Sequence, residues 1–117
     1  MSLNSRQKGA AGEREWAQFL CVEAAALGFS VSARRGQQFA GSPDSPDVVC
    51  RELPIHWEVK RVERLQIERA MSQSIRDSRG GSIPAVAHRK NRSDWLVTVR
   101  ATDFLAMAIA AEKDTEK

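Results

Sequence analysis

Pro46-Asp47-Val48-Val49-Cys50-Arg51-Glu52-Leu53-Pro54-Ile55-His56-Trp57-Glu58-Val59-Lys60 is the stretch on which the rest of the chain depends. Val48, Val49 and Cys50 read as a short buried strand opened by Asp47, and Ile55 to Lys60 alternate strictly, as a half-buried strand does. Only Arg51 to Pro54 separate the two, which predicts a hairpin. Side chains on a strand alternate between faces, so Ile55, Trp57 and Val59 share one face, and His56, Glu58 and Lys60 share the other. With the apolar triplet in the core, an acid and an ammonium lie side by side. If Asp47 lies opposite Glu58, two carboxylates and a lysine converge.

Two carboxylates, with water and phosphate oxygens, make the donor set of a hard octahedral cation such as Mg²⁺. An ion held there activates water and stabilises charge during attack on phosphorus. Lys60 beside it would orient that water or neutralise developing charge. A solvated, salt-bridged hairpin is the other reading of the same residues, since acid and lysine two apart on a strand are common.

The chain, 117 residues and 13.0 kDa, suits one domain spanning 1–117 with loose termini at 1–5 and 114–117. No apolar run reaches the length of a membrane span, and residues 1–6 lack the apolar stretch of a signal peptide, so a cytosolic location is expected. Cys21 and Cys50 have no His or Cys at metal-ligand spacing and read as free thiols. The net charge of +3 is unevenly placed. Residues 67–100 carry seven Lys/Arg against three acids, a net of +4, whereas residues 101–117 are net −2. A basic body with an acidic tail suits a phosphate-rich partner, or simply a solvated surface.

Residues 6–27 read as a helix closed by Gly28, with Trp16, Ala17, Leu20, Ala24 and Leu27 on one stripe and Glu13 at its middle. An acid centred on such a stripe needs a partner, so Glu13 reads either as an acid facing a metal site or as a helix-end carboxylate favoured by the macrodipole or paired with an arginine; Glu15 points nearly the opposite way and reads as surface. Phe19, Val22 and Ala26 form a weaker stripe that would meet the C-terminal helix or a second copy. Residues 29–35 alternate as a first strand with Phe29, Val31 and Ala33 inward. The turn-rich loop from Gly36 to Pro46 is either a substrate-binding segment, with Phe39 stacking on bases, or a plain connector.

Residues 65–79 read as a helix with Ile67, Ala70, Met71, Ser74 and Ser78 buried. Its other face carries Gln66, Arg69, Gln73 and Arg76, to grip a phosphodiester backbone or only to meet water. Strands at 83–88 and 94–100 make a second hairpin, and an apolar helix at 101–113 is expected to cover one sheet face. No Gly-rich phosphate loop, Ser/His/Asp set or CxxC pair is present, so no nucleotide cofactor is implied. His56 and His88 read as core or surface histidines rather than catalysts.

Glu13 on the first helix, Pro46-Asp47 and Glu58-Val59-Lys60, in the order α-β-β-β-α-β, resemble the PD-(D/E)xK nuclease superfamily. Lys8-Gly9-Ala10-Ala11-Gly12-Glu13-Arg14-Glu15, Gly28-Phe29, Arg34 and Gly80-Gly81-Ser82-Ile83-Pro84 add a likeness to archaeal-type Holliday junction resolvases and their small phage-encoded relatives. The likeness covers most of residues 6–100. It implies an α/β restriction-endonuclease-like core, a central mixed five-stranded sheet flanked by helices (α-β-β-β-α-β-β-α). It also implies a Mg²⁺- or Mn²⁺-dependent endonuclease, a homodimer cutting opposed strands of branched DNA, in the host cytoplasm if phage-encoded.

By position, Asp47, Glu58 and the Val59 carbonyl would bind metal, Lys60 would assist the attacking water and Glu13 would complete the acidic cluster. DNA is then expected on Lys8, Arg34, Arg35, Ser42, Arg69, Gln73 and Arg76. Gln73 also resembles a glutamine of virus-type replication-repair nucleases, which makes such an enzyme, or a flap or end-processing nuclease, the neighbouring reading. A DNA-binding module with a vestigial site is the reading from another class. The chain departs from the resolvases in its longer loop before Asp47 and its extra terminal helix.

Overall fold

The computed structural model describes residues 5–36, 46–78 and 80–115, with side chains described for 9–36, 46–78 and 80–114. The Lys8 side chain, Ser42 and Phe39 lie outside the described residues. The elements are α1 (Ser5–Ala26), β1 (Ala33–Arg35), β2 (Val48–Cys50), β3 (Ile55–Arg61), α2 (Ile67–Asp77), β4 (Ile83–Arg89), β5 (Leu96–Val99) and α3 (Ala101–Thr115). They form one five-stranded mixed sheet in the order β1-β2-β3-β4-β5. Both expected hairpins are antiparallel, β2 with β3 and β4 with β5, while β3 and β4 run parallel. A parallel neighbour needs a crossover, and α2 supplies it.

Each face of the sheet has its own cover. Trp57 and Val59 of β3, Val48 and Cys50 of β2, and Ala85 and Ala87 of β4 make the core with Trp16 and Ala17 of α1. Trp16 meets Trp57 edge-on at 4.9 Å and Trp95 at 5.0 Å between ring centroids. Removing either buried indole would cost about 3–5 kcal/mol. The opposite face, with His56 and Glu58, lies under α2, whose Ala70, Ser74 and Asp77 are buried. The Ser74 hydroxyl accepts the Ala85 N–H at 3.1 Å and lies 3.2 Å from the His56 and Ala85 carbonyls, tying helix to both central strands.

The end of α1 follows from Gly28. Its φ of 83° is left-handed backbone, and its N–H reaches the Ala25 carbonyl while the Phe29 N–H reaches that of Ala24, both at 2.9 Å. That pair of bonds is a Schellman closure, for which glycine is the cheapest residue. Leu27, expected on the core stripe, lies within this cap and is 86% exposed.

Three further expectations change. The first strand begins at Ala33, not Phe29, because its partner offers only Val48 to Cys50 for pairing, so Phe29 stays exposed. On α2, Ile67, Met71 and Ser78 are only half-buried, and Asp77 is buried instead. Finally, α3 does not cover the sheet: among the described residues it packs extensively on no other element, and Phe104, Leu105, Met107 and Ile109 are exposed. Only Arg100 separates β5 from α3. One residue cannot reverse the chain to lay a helix back across the strands.

Candidate active site

The fork between β2 and β3 brings the two acids of the hairpin together. Val48 pairs with Trp57, so the next step of the same register sets Asp47 opposite Glu58. Asp47 donates its N–H to the Trp57 carbonyl at 2.8 Å, and its Oδ2 accepts the Val59 N–H at 2.9 Å. The carboxylate thus stands in for a ladder carbonyl where β2 begins. Asp47 is 8% and Glu58 2% exposed.

Two carboxylates so placed repel each other with little water between them. Burial, then the charge of Glu58, push the Asp47 carboxyl up to about 7 from an ordinary 3.8, against the opposing Val59 N–H; Glu13 adds a smaller push upward. Near neutral pH the pair therefore holds a proton, or takes a cation in its place.

The donors suit a hard divalent ion. Both carboxylates offer oxygen, and Mg²⁺ is usually held by one or two protein carboxylates with water and phosphate completing the shell. Residues on a strand direct N–H and C=O to the same side. The Val59 N–H meets Asp47, so its carbonyl also faces the open edge beside Asp47. Glu13 approaches from α1, but its Oε1 accepts the Arg35 Nε–H at 2.9 Å. Among the described residues no three His, Cys, Asp or Glu side chains form one ligand group. The expected three-acid cluster is therefore a two-acid pair with Glu13 held alongside by Arg35, because a guanidinium at hydrogen-bonding distance outcompetes a repelling carboxylate. Lys60 shares the strand face of Glu58 and is half-buried.

Glu13, Arg34, Arg35, Asp47, Glu58 and Lys60 lie toward one end of the sheet: the ends of β1 and β3, the start of β2 and the first half of α1. Ligands of open α/β sheets gather outside the carboxyl ends of strands for the same reason, that loops and helix ends converge there. At this end Arg61 and Arg89 are register partners on the parallel strands. Glu15 of α1 pairs with both, at 3.5 Å to Arg61 Nε and more closely to Arg89. Expected at the surface, Glu15 is instead half-buried as the bridge between α1 and two strands. A Cβ at Gly12 would sit 2.7 Å from the Arg61 Cβ, so the bare glycine is what lets α1 approach this closely. A cleft of about 570 Å³, lined by Gly12, Glu15, Arg61, Glu63 and Asn91 among others, opens beside it.

The expected DNA contacts divide. Arg35 meets Glu13, whereas Arg34 is exposed. Because α2 runs back from the end of β3 to the start of β4, Arg69 lies in its first turn, toward the same end of the sheet as the acidic pair. Arg76 lies about 10 Å farther along the axis and pairs with Asp77 at 3.6 Å. Gln73 is half-buried between them. Arg61 and Arg89 have no counterpart among the expected contacts, since only the parallel β3/β4 register brings them together. His88 bonds Thr98 at 2.9 Å, and burial lowers its pKa, which disfavours the charged ring. Cys21 and Cys50 are free thiols.

No helix among the described residues is long and apolar enough to cross a membrane. No family model, characterised protein or solved structure matches the chain.

Proposed function

We propose that this chain is a metal-dependent, structure-selective DNA endonuclease of the PD-(D/E)xK kind, acting on branched DNA as a Holliday junction resolvase. The observation that carries this reading is the buried Asp47–Glu58 pair at the mouth of β2 and β3. Burying two like charges side by side is costly and has no use in packing. Lys60 on the same strand face and the arginines at the same end of the sheet add the groups that a phosphodiester requires.

Mg²⁺ or Mn²⁺, when bound by Asp47, Glu58 and the Val59 carbonyl, supplies Lewis-acid stabilisation of charge on the phosphate. Asp47 is held for that task by the Val59 N–H, and Glu58 by its place on the central strand. Lys60 presents an ammonium that orients the nucleophilic water and offsets charge in the transition state. Arg35 holds Glu13 beside the pair. Arg34 at the end of β1 and Arg69 in the first turn of α2 are exposed cations on the elements flanking this edge and position the backbone. The homodimer implied by the resemblance accords with the apolar side chains left exposed on α3.

Labelled four-way junction, flap, single strand and duplex, each incubated with Mg²⁺, Mn²⁺ or EDTA, test the reading. Metal-dependent cutting of the junction supports a resolvase, and preference for flaps or ends supports the replication-repair or flap type. Binding without cutting, unchanged by Asp47→Asn, would identify a DNA-binding module instead. Glu58→Gln and Lys60→Ala should each abolish cleavage while leaving binding to junction DNA within a few-fold of the unaltered protein.

A further inference from the structure

His56 has a place that packing alone does not explain. It is 5% exposed, two residues from Glu58 on the same face of β3, under α2. Its Nε2 lies 3.6 Å from Glu58 Oε1 and has no hydrogen-bond partner among the described residues. A buried polar atom left unpaired costs about 1–3 kcal/mol, and an apolar ring of similar size would avoid that cost. The Ser74 hydroxyl beside the His56 carbonyl, bonded to β4, holds this part of β3 in place. Glu58 thus has Asp47 on one side and an imidazole nitrogen with no other described partner on the other.

We infer that His56 is a positioning residue for Glu58, its imidazole donating Nε2–H to Oε1 so that the second carboxylate oxygen is turned toward Asp47 and a bound divalent cation. This rests on the metal-binding reading of the pair. The required movement is small, since closing 3.6 Å to an ordinary N–H···O distance of about 2.9 Å takes only a slight rotation of either side chain. Ligating carboxylates are commonly held by outer hydrogen bonds of this kind, and losing one weakens metal binding about 10–100-fold. The role differs from catalysis: His56 touches neither phosphate nor water and acts only through Glu58.

The test is Mn²⁺ binding without DNA, by calorimetry, on the unaltered protein, His56→Phe, His56→Gln and Asp47→Asn, each checked for folding by circular dichroism. His56→Phe should weaken Mn²⁺ about 10–100-fold, and His56→Gln, which keeps a donor, should stay within a few-fold of the original affinity. Equal affinity of His56→Phe and the unaltered protein would overturn the role, as would an equal loss in both variants. Should His56→Phe fail to fold, ring NMR of the unaltered protein decides: Mg²⁺ should move the His56 Nε2–H proton downfield as its hydrogen bond to Glu58 Oε1 closes, and an unmoved signal would overturn the inference. Absence of any Asp47-dependent Mn²⁺ binding in the unaltered protein would overturn the metal reading and this role together, a result distinct from loss of the histidine effect alone.

Discussion

Replacing Asp47 by Asn should make the metal-free protein more stable while abolishing the metal binding proposed for it. Asn keeps a carbonyl to accept the Val59 N–H and removes the charge that Glu58 opposes. The folded-state carboxyl lies near 7 rather than 3.8. A group raised in this way contributes its stability below about pH 4 and loses it as pH rises through about 7. At about 1.4 kcal/mol per pH unit, the span from 3.8 to about 7 corresponds at most to about 4 kcal/mol at pH 8. Part of that span belongs jointly to Glu58, so Asp47→Asn should recover about 2–4 kcal/mol there, roughly 10 °C in Tm for a domain of this size.

Urea and thermal melts in EDTA at pH 8 and pH 4 read the effect: a large gain at the first and nearly none at the second. Saturating Mg²⁺ should then stabilise the unaltered protein, by about 2.7 kcal/mol at a hundred times Kd, and leave Asp47→Asn unmoved. A variant less stable than the original at pH 8 in EDTA would refute the claim that two ionised carboxylates are forced together here.

Other outcomes follow from single contacts. Gly12→Ala puts a methyl group 2.7 Å from the Arg61 Cβ; forcing α1 off β3 should cost about 1–3 kcal/mol in urea unfolding. Ser74→Ala strips the partner from the Ala85 N–H in a fully buried site, with a loss of about 1–3 kcal/mol by the same measurement. Glu52 accepts the Ser32 N–H at 3.0 Å and its hydroxyl at 2.7 Å. These bonds lower its pKa to about 2, so an NMR titration should find its midpoint there, rising toward the ordinary carboxylate range in Ser32→Ala. The contribution of that tether should hold above the ordinary carboxylate range and disappear as pH falls through the lowered value. Truncation after Arg100 should leave the cooperative melt, compared at concentrations where both proteins are monomeric, within a few degrees, because α3 packs extensively on no other described element.

Much of this protein is legible in one dimension. The alternation of Ile55 to Lys60 and the brevity of Arg51 to Pro54 together predict which acid faces which. Both are local facts, since strand parity and a short turn leave one register that buries Trp57 and Val59. The element order and the placement of Trp16 on the core-facing stripe follow from the same periodicities. Readings made from composition alone fare worse: the apolar run of α3 predicts burial but not a surface to bury against.

What the chain order cannot supply is proximity between distant segments. The parallel register of β3 with β4 sets Arg61 beside Arg89 and gives Glu15 its bridging place, and the approach of α1 gives Glu13 to Arg35 instead of a third ligand position. His56 likewise acquires meaning only from α2, whose packing closes one face of the sheet and leaves Glu58 as its polar neighbour. The local pattern determined the hairpin and its acids because side-chain direction on a strand depends only on neighbours in sequence. Tertiary structure alone decided which charges compete, because electrostatic and hydrogen-bonding energies depend on separation and burial in space.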